Sequence, residues 1–356
     1  MKTLSLKQRF ALALNHRLVK ERRKEHPLRQ LFWECTWRCN LSCRHCGSDC
    51  KNSSSLPDMP VSDFIRVVDS ILPHVDRHLL NIVITGGEPL VRTDLEIAGR
   101  MLYDREIPWG IVTNGLLLTP DRFKKLRGAG IHNLTVSLDG LKDTHNWMRC
   151  HPDSFSKAYS AIKMVAQTED INFDVVTCVN RRSLPELQQL KALLIDAGVK
   201  RWRLFTIFPS GRAARYPDFD LPEDELVELM DFIVATREEG KIKASFCCEG
   251  FMGGYEGKIR DHFYECQAGV SVASVLLDGG IGACPSIRSD FRQGNIYTDD
   301  FWDVWQNRFE PYRDRTWMKT GPCSDCSFWR HCEGNGMHLR DSDGNLLHCH
   351  IKKHTV

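Results

Sequence analysis

The stretch Leu31-Phe-Trp-Glu-Cys-Thr-Trp-Arg-Cys39-Asn-Leu-Ser-Cys43-Arg-His-Cys46 decides how the rest of the chain is read. A short apolar run, 31–33, has strand character, and three cysteines follow it within eight residues. Thiolates packed this densely on a loop after a strand point to a metal centre. A closed zinc site wants four protein ligands. Three suit a [4Fe–4S] cluster with one iron left open to a ligand. Zinc and chance clustering are the competing readings. Cys35 and Cys50 flank the triplet; Cys35 reads as a strand residue and Cys50 as a bystander thiol.

Working outward, apolar runs recur at 81–85, 110–113, 134–138, 173–179 and 202–208. Helical periodicity fills the gaps at 61–72, 94–105, 120–128, 155–167 and 184–197. Phe123 and Leu126 mark the core side of one such helix, with Asp121, Lys124 and Lys125 outward; Gly128 and Gly198 are helix stops. Alternation of this kind builds parallel strands with crossover helices, here an incomplete six-stranded (β/α) barrel. Ligands in such folds bind at the carboxyl ends of the strands. Four segments are expected: a basic amphipathic helix at 1–30, the barrel at 31–215, a helical linker at 216–262 and a cysteine-rich region at 263–356. In the linker, 222–240 reads as one helix with Leu226, Leu229, Phe232 and Ile233 on one face.

In the N-terminal segment, Leu6, Phe10, Leu14 and Leu18 recur every fourth residue and share a helix face. Nine Lys/Arg against two Glu in residues 1–30 give +7 locally. The segment reads either as a docking helix for an anionic surface or partner, or as a helix packed on the body with a solvated basic face.

The chain has 356 residues, 42% apolar and 26% charged, which is globular composition and excludes extended disorder. The longest apolar run, 269–277, is far below the roughly 18 residues of a membrane span. No apolar segment of signal-peptide type follows Met1. A net charge of +2 from 48 basic and 46 acidic residues gives no whole-chain case for nucleic acid. The 15 cysteines bunch at 35–50 and 323–349 rather than spreading as in a disulfide scaffold. A reducing, cytoplasmic location is expected.

A second motif, Gly86-Gly87-Glu88-Pro89, stands just after the second strand. Together with CxxxCxxC, Thr36 and Asn40-Leu41, it resembles the radical S-adenosylmethionine (SAM) superfamily. His45 departs from it, since an aromatic is usual before the last cysteine. The resemblance implies a [4Fe–4S] cluster on Cys39, Cys43 and Cys46. It also implies SAM held through Gly86, Gly87, Glu88 and Pro89. The glycines would let backbone approach the ligand, and Glu88 would face its ammonium. Strand-end groups Asn114, Ser137 and Asp139 are further cofactor candidates; Asp139 binds ribose hydroxyls or caps its turn. His145 and Arg149, which follow the fourth strand, and Asn180, which ends the fifth, are weaker ones. Arg212, in a Pro209-Ser-Gly211-Arg212-Ala segment like that of several relatives, binds a carboxylate or is a surface arginine. The implied chemistry is reductive cleavage of SAM to a 5′-deoxyadenosyl radical that abstracts hydrogen from carbon, fed by a donor such as flavodoxin or ferredoxin.

Toward the C-terminus, Cys266 is followed by Gly279 and Cys284, then Cys323-x2-Cys326-x5-Cys332 and Cys349. The pattern resembles the SPASM extension, which binds one or two auxiliary iron–sulfur clusters. By that resemblance Cys323, Cys326, Cys332 and Cys349 hold a complete second auxiliary cluster, with a zinc ribbon as the alternative. The first keeps Cys266 and Cys284, because Gly336 stands where the family has cysteine. Cys248 or Cys247 is a candidate replacement, Cys248 the better one; His338 or His348 is another. Absence of that cluster, or a different nuclearity, is the remaining alternative. Trp33-Glu-Cys-Thr-Trp37, Gly47-Ser-Asp-Cys50, Asp143-Thr-His-Asn-Trp147 and Glu333-Gly-Asn-Gly-Met-His-Leu339 resemble a subgroup paired with a lipoprotein, the rSAM/lipoprotein system. This adds a lipoprotein as a candidate partner.

Many proteins of this kind oxidise or crosslink a peptide or protein, and that is the expected activity. A small-molecule substrate such as a haem intermediate is the alternative, and a non-catalytic electron-transfer protein a third. Pro285 after Cys284 argues against sulfatase maturation, whose relatives carry an Asp base there. The segment before the first strand is too short for a winged peptide-binding domain.

Overall fold

In a computed structural model, residues 4–247, 249–287 and 290–351 are described. Seven parallel strands form the central sheet: β1 (Gln30–Glu34), β2 (Asn81–Thr85), β3 (Trp109–Thr113), β4 (Asn133–Ser137), β5 (Asn172–Val179), β6 (Arg201–Thr206) and β7 (Lys243–Phe246), neighbours in that order. Six are the strands expected from the apolar runs. β7 is not: four residues inside the supposed linker are too few for a periodic signal. On the other edge, β8 (Val272–Val275) runs parallel to β1, and β9 (Gly280–Gly282) and β10 (Gly294–Asn295) follow antiparallel. The cysteine-rich region thus continues the sheet of the core.

Helices α2 (Val61–Ile71), α3 (Leu95–Tyr103), α4 (Pro120–Gly128), α6 (Ser154–Ala166), α7 (Leu187–Asp196) and α8 (Glu223–Glu239) cover the outer face. Local chemistry sets their ends. The Thr119 hydroxyl accepts from Arg122 N at the start of α4, and Gly240, at φ +69°, closes α8 in the left-handed region. Trp33 of β1 stacks on Phe64 of α2 at 4.5 Å. An additional helix, α5 (Lys142–Arg149), lies directly after β4. Its buried residues, Thr144, His145, Met148 and Arg149, are mostly polar, so it has no apolar stripe to announce it.

Helix α1 (Leu6–Glu25) packs on the body, but through Leu12 and Val19. The stripe Leu6, Phe10, Leu14, Leu18 faces away from it. No described helix is long and apolar enough to cross a membrane.

Candidate functional site

The cysteine triplet leaves the carboxyl end of β1 on a loop fastened at both sides. Cys39 N donates to Lys51 O at 2.7 Å, and the Thr36 hydroxyl and the Arg38 guanidinium both reach Asp58. Arg212, beyond β6, binds the far side of the loop: its backbone N donates to Cys46 O, its Nε to Cys43 O at 2.7 Å and its Nη1 to Asp49 and to Cys50 O. Its side chain therefore braces the cluster loop from across the barrel. Cys39 and Cys43 are buried and Cys46 is half-buried; all three line one cavity of about 170 Å³. Burial pushes the Cys39 thiol up to about 12 and Cys43 up to about 11, the nearby Arg149 opposing the latter. A hydrogen bond from the Cys50 thiol lowers Cys46 to about 5, against burial. Cys50 is thus a partner of the triplet. Loading iron on the two buried thiols must expel their protons, as expected of a metal site.

The motif after β2 meets that loop directly. Gly87 N donates to Thr36 O at 2.7 Å and Glu88 N to Arg38 O at 3.0 Å. A Cβ on Gly86 (φ +142°) would lie 2.2 Å from Thr36 O, and one on Gly87 2.3 Å from Arg38 O. The immediate reason for both glycines is the close approach to the stem of the cysteine loop. Glu88, 1% exposed, accepts from Leu90 N, the Thr113 hydroxyl and Asn114 N. Its carboxylate ties β2 to β3, and burial raises its pKa. Pro89 opens the short turn Pro89–Val91 that follows. We expect Gly86→Ala to destabilise the metal-free protein by about 1–3 kcal/mol through overpacking, more if the φ cannot relax. Urea unfolding checks this against Gly128→Ala, where the added Cβ meets nothing within 4 Å.

From β3, Asn114 Nδ2 donates to Asn40 Oδ1 at 2.8 Å and lines the cavity with Glu88, Ser137 and Arg149. Asp139, two residues past β4, is fully buried. Its Oδ2 accepts from Arg149 Nε at 2.6 Å and its Oδ1 from Cys178 N at 3.0 Å, while His45 Nε2 is 3.7 Å away. Burial alone would raise the Asp139 pKa; Arg149, His45 and His145 outweigh it and hold the group below the usual carboxylate range. Burial lowers His45 to about 4 and His145 to about 3, so both imidazoles are neutral. Asn180 is buried too, but its Oδ1 accepts from Arg182 N and Ser183 N and shapes the turn after β5. Cys50 is the site residue the sequence reading set aside as a bystander; Arg149 it names, with His145, only as following the fourth strand among the groups near the cofactor. The signal for Arg149 was a charged residue ten positions after the strand-end Asp139, on a helix that was not recognised.

Among the C-terminal cysteines, Cys332 is pushed up to about 12, by burial first and then by the Cys349, Cys323 and Cys326 thiols. Buried Arg340 braces their loop through Gly334 O, Gly344 O and Cys323 Sγ. Among the described residues, His45, Asp139 and Cys178 bring three possible ligand atoms within 4.8 Å of one another.

Cys266 accepts from the Arg315 side chain and from Met337 N, and both Cys266 and Cys284 act on the buried Tyr312 hydroxyl. Cys247 lies beside Arg203, 3.9 Å from Nη1. Cys248 falls outside the described residues. A Cβ on Gly336 would lie 2.7 Å from the His338 ring, so this imidazole occupies the space of the missing cysteine side chain. It also packs against Phe208 just past β6. His348 turns toward Asp220 and His350.

A model of the radical SAM superfamily matches residues 33–194, and one of the SPASM iron–sulfur cluster-binding domain matches 266–327. An AdoMet-dependent heme synthase of Methanosarcina barkeri is 27% identical over 337 residues, covering 90% of this chain and 94% of that protein. Mycofactocin maturase MftC of Mycobacterium tuberculosis is 28% identical over 311 residues, covering 86% and 78%. Among solved structures, Streptococcus suis SuiB bound to S-adenosylmethionine superposes with a TM-score of 0.72 at 18% identity, covering 95% of this chain and 81% of that one.

Proposed function

Because the chain belongs to the radical SAM enzymes with a SPASM domain, we propose that its substrate is a peptide or protein side chain, which it oxidises or crosslinks. The observation that carries this reading is the cavity over the cysteine triplet. It measures about 170 Å³, is lined by side chains of mixed polarity that include His45, Val112, Thr113, Asn114, Ser137 and Arg149 beside the cysteines and Glu88, and must also take the cluster and part of SAM. A space of this size, shared with cluster and SAM, suits a narrow side chain better than a large ring. A tetrapyrrole wants a broad apolar slot, as large ring ligands do.

In this proposal Cys39, Cys43 and Cys46 hold the radical cluster, and Cys323, Cys326, Cys332 and Cys349 an auxiliary one. Cluster and SAM together would supply one-electron cleavage to a 5′-deoxyadenosyl radical, which takes a hydrogen atom from carbon. Gly86, Gly87 and Pro89 shape the floor beside the cluster, Asn114 and Ser137 stand at the strand ends to orient SAM, and Asp139 acts behind them by positioning Arg149. The buried walls keep water from the reacting centre. Cys266 and Cys284, with His338 in the place of a third thiolate, would form the smaller auxiliary site. A lipoprotein is the finer proposal for the substrate, and flavodoxin or ferredoxin for the electron donor.

The test is anaerobic turnover with reductant and SAM, reading 5′-deoxyadenosine and substrate mass. We expect a cognate peptide to stimulate 5′-deoxyadenosine formation and to lose hydrogen in step with it. Stimulation by an iron porphyrin that is itself altered, with peptides inert, would replace this reading by the haem-type one.

A further inference from the structure

Helix α1 carries a feature that the radical chemistry does not use. Its inner face is fixed to the body: Leu12 and Val19 are buried, Gln8 Nε2 donates to Gly254 O and Glu256 O, and Arg22 and Arg23 pair with Glu265 and Glu333. Its outer face carries Leu6, Phe10, Leu14 and Leu18, which are 84, 77, 54 and 56% exposed. The remaining exposed large apolar side chains of the described residues are scattered over other elements. These four run in line over twelve residues, about 18 Å at 1.5 Å per residue. A row of that kind is an interaction surface rather than ordinary surface noise. The docked inner face prevents the helix from rolling to bury it.

Charge decides the occupant. The exposed cations Lys7, Arg9, Arg17, Lys20 and Lys24 flank the row, while Glu21 is paired with Lys24 at 2.8 Å. Apolar side chains standing out between flanking Lys and Arg are the pattern of a helix that lies in a lipid–water interface, its cations among anionic headgroups. An acidic protein partner would be met by the charges, but would leave Leu6 and Phe10 as the most protruding groups without an apolar counterpart.

We propose that α1 docks this protein on the surface of an anionic phospholipid bilayer, with Leu6, Phe10, Leu14 and Leu18 entering the headgroup boundary. The proposal is independent of the substrate reading. Its test is flotation of the full-length, iron-loaded protein with phosphatidylcholine vesicles, with and without phosphatidylglycerol. We expect flotation with the anionic vesicles and little with the neutral ones, weakened by salt. Replacing the four stripe residues together by serine should cut binding at least about tenfold, as should Lys7→Glu with Arg17→Glu. All these positions are exposed, so iron content should stay unchanged in both variants. Failure to float with anionic vesicles would overturn the proposal, as would flotation that the serine variant retains. Light scattering that finds a dimer which the serine variant dissociates, with no vesicle binding, would assign the face to a second copy instead.

Discussion

Replacing Cys39, Cys43 and Cys46 together by alanine should remove about four irons per chain, one cubane cluster, and abolish SAM cleavage. Replacing Cys323, Cys326, Cys332 and Cys349 should remove a separate set of about four. The two losses should add, because the sites draw on different thiols. The triplet lies in the loop after β1 beside Gly86 and Arg212, and the quartet lies in a loop braced by Arg340. Total iron after anaerobic reconstitution then reports on Cys266 and Cys284. About eight irons leave that site empty; about twelve mean that a third cubane has formed there. In the second case His338→Ala should lower the count, since its ring fills the space above Gly336. Zinc in place of iron at either site would overturn the cluster assignment. Activity alone cannot distinguish these cases, and metal counting does.

Much of this was legible in the sequence, and the exceptions have physical reasons. The six expected strands were found because each carries apolar residues on its buried face; in β2, β5 and β6 buried residues alternate with half-buried or exposed ones, so a single buried face was enough. Chemistry placed at strand ends followed from them. Helix α5 was missed because its buried face is largely built from Thr144, His145 and Arg149, whose burial depends on the polar partners Glu186, Ser154 and Asp139 rather than on hydropathy. Strand β7 is too short for periodicity to register. The stripe on α1 shows a different limit. Periodicity places Leu6, Phe10, Leu14 and Leu18 on one face but does not say which way the face points; here Leu12 and Val19 claim the core. The glycines of the GGEP segment were correctly marked as close-approach positions, yet what they approach is the backbone of Thr36 and Arg38. Cys248 lies outside the described residues, so its proposed ligand role still rests on sequence alone.

The second large effect belongs to Arg149. Its guanidinium lies between buried Asp139, 2.6 Å from Nε, and the Cys43 sulfur, 3.8 Å from Nη1. Arg149→Leu would leave the Asp139 carboxylate charged, buried and without its main counter-charge. Breaking a buried pair from one side costs about 3–5 kcal/mol, a loss readable by urea unfolding of the metal-free protein near pH 7. The pH dependence carries the same information. Asp139 is held below its unfolded value, so its stabilisation is fully present above about pH 4, the ordinary carboxylate range, and is lost progressively as pH falls from there through its lower folded value. The leucine variant should lack that part of the acid sensitivity. Adding Asp139→Leu to Arg149→Leu should recover part of the stability, since no unpaired charge then remains. Full recovery is not expected, because Cys178 N would lose its acceptor. If Arg149→Leu proved as stable as the parent, the pair would not be what holds β4, α5 and β5 together at the strand ends. A further readout separates positioning from mere support. Arg149 also opposes the negative charge that collects on the cysteine loop when its thiols ionise. Arg149→Lys keeps a cation but not the fork geometry. It should therefore retain more iron at the triplet than Arg149→Leu does, even where the two variants unfold at similar urea concentrations.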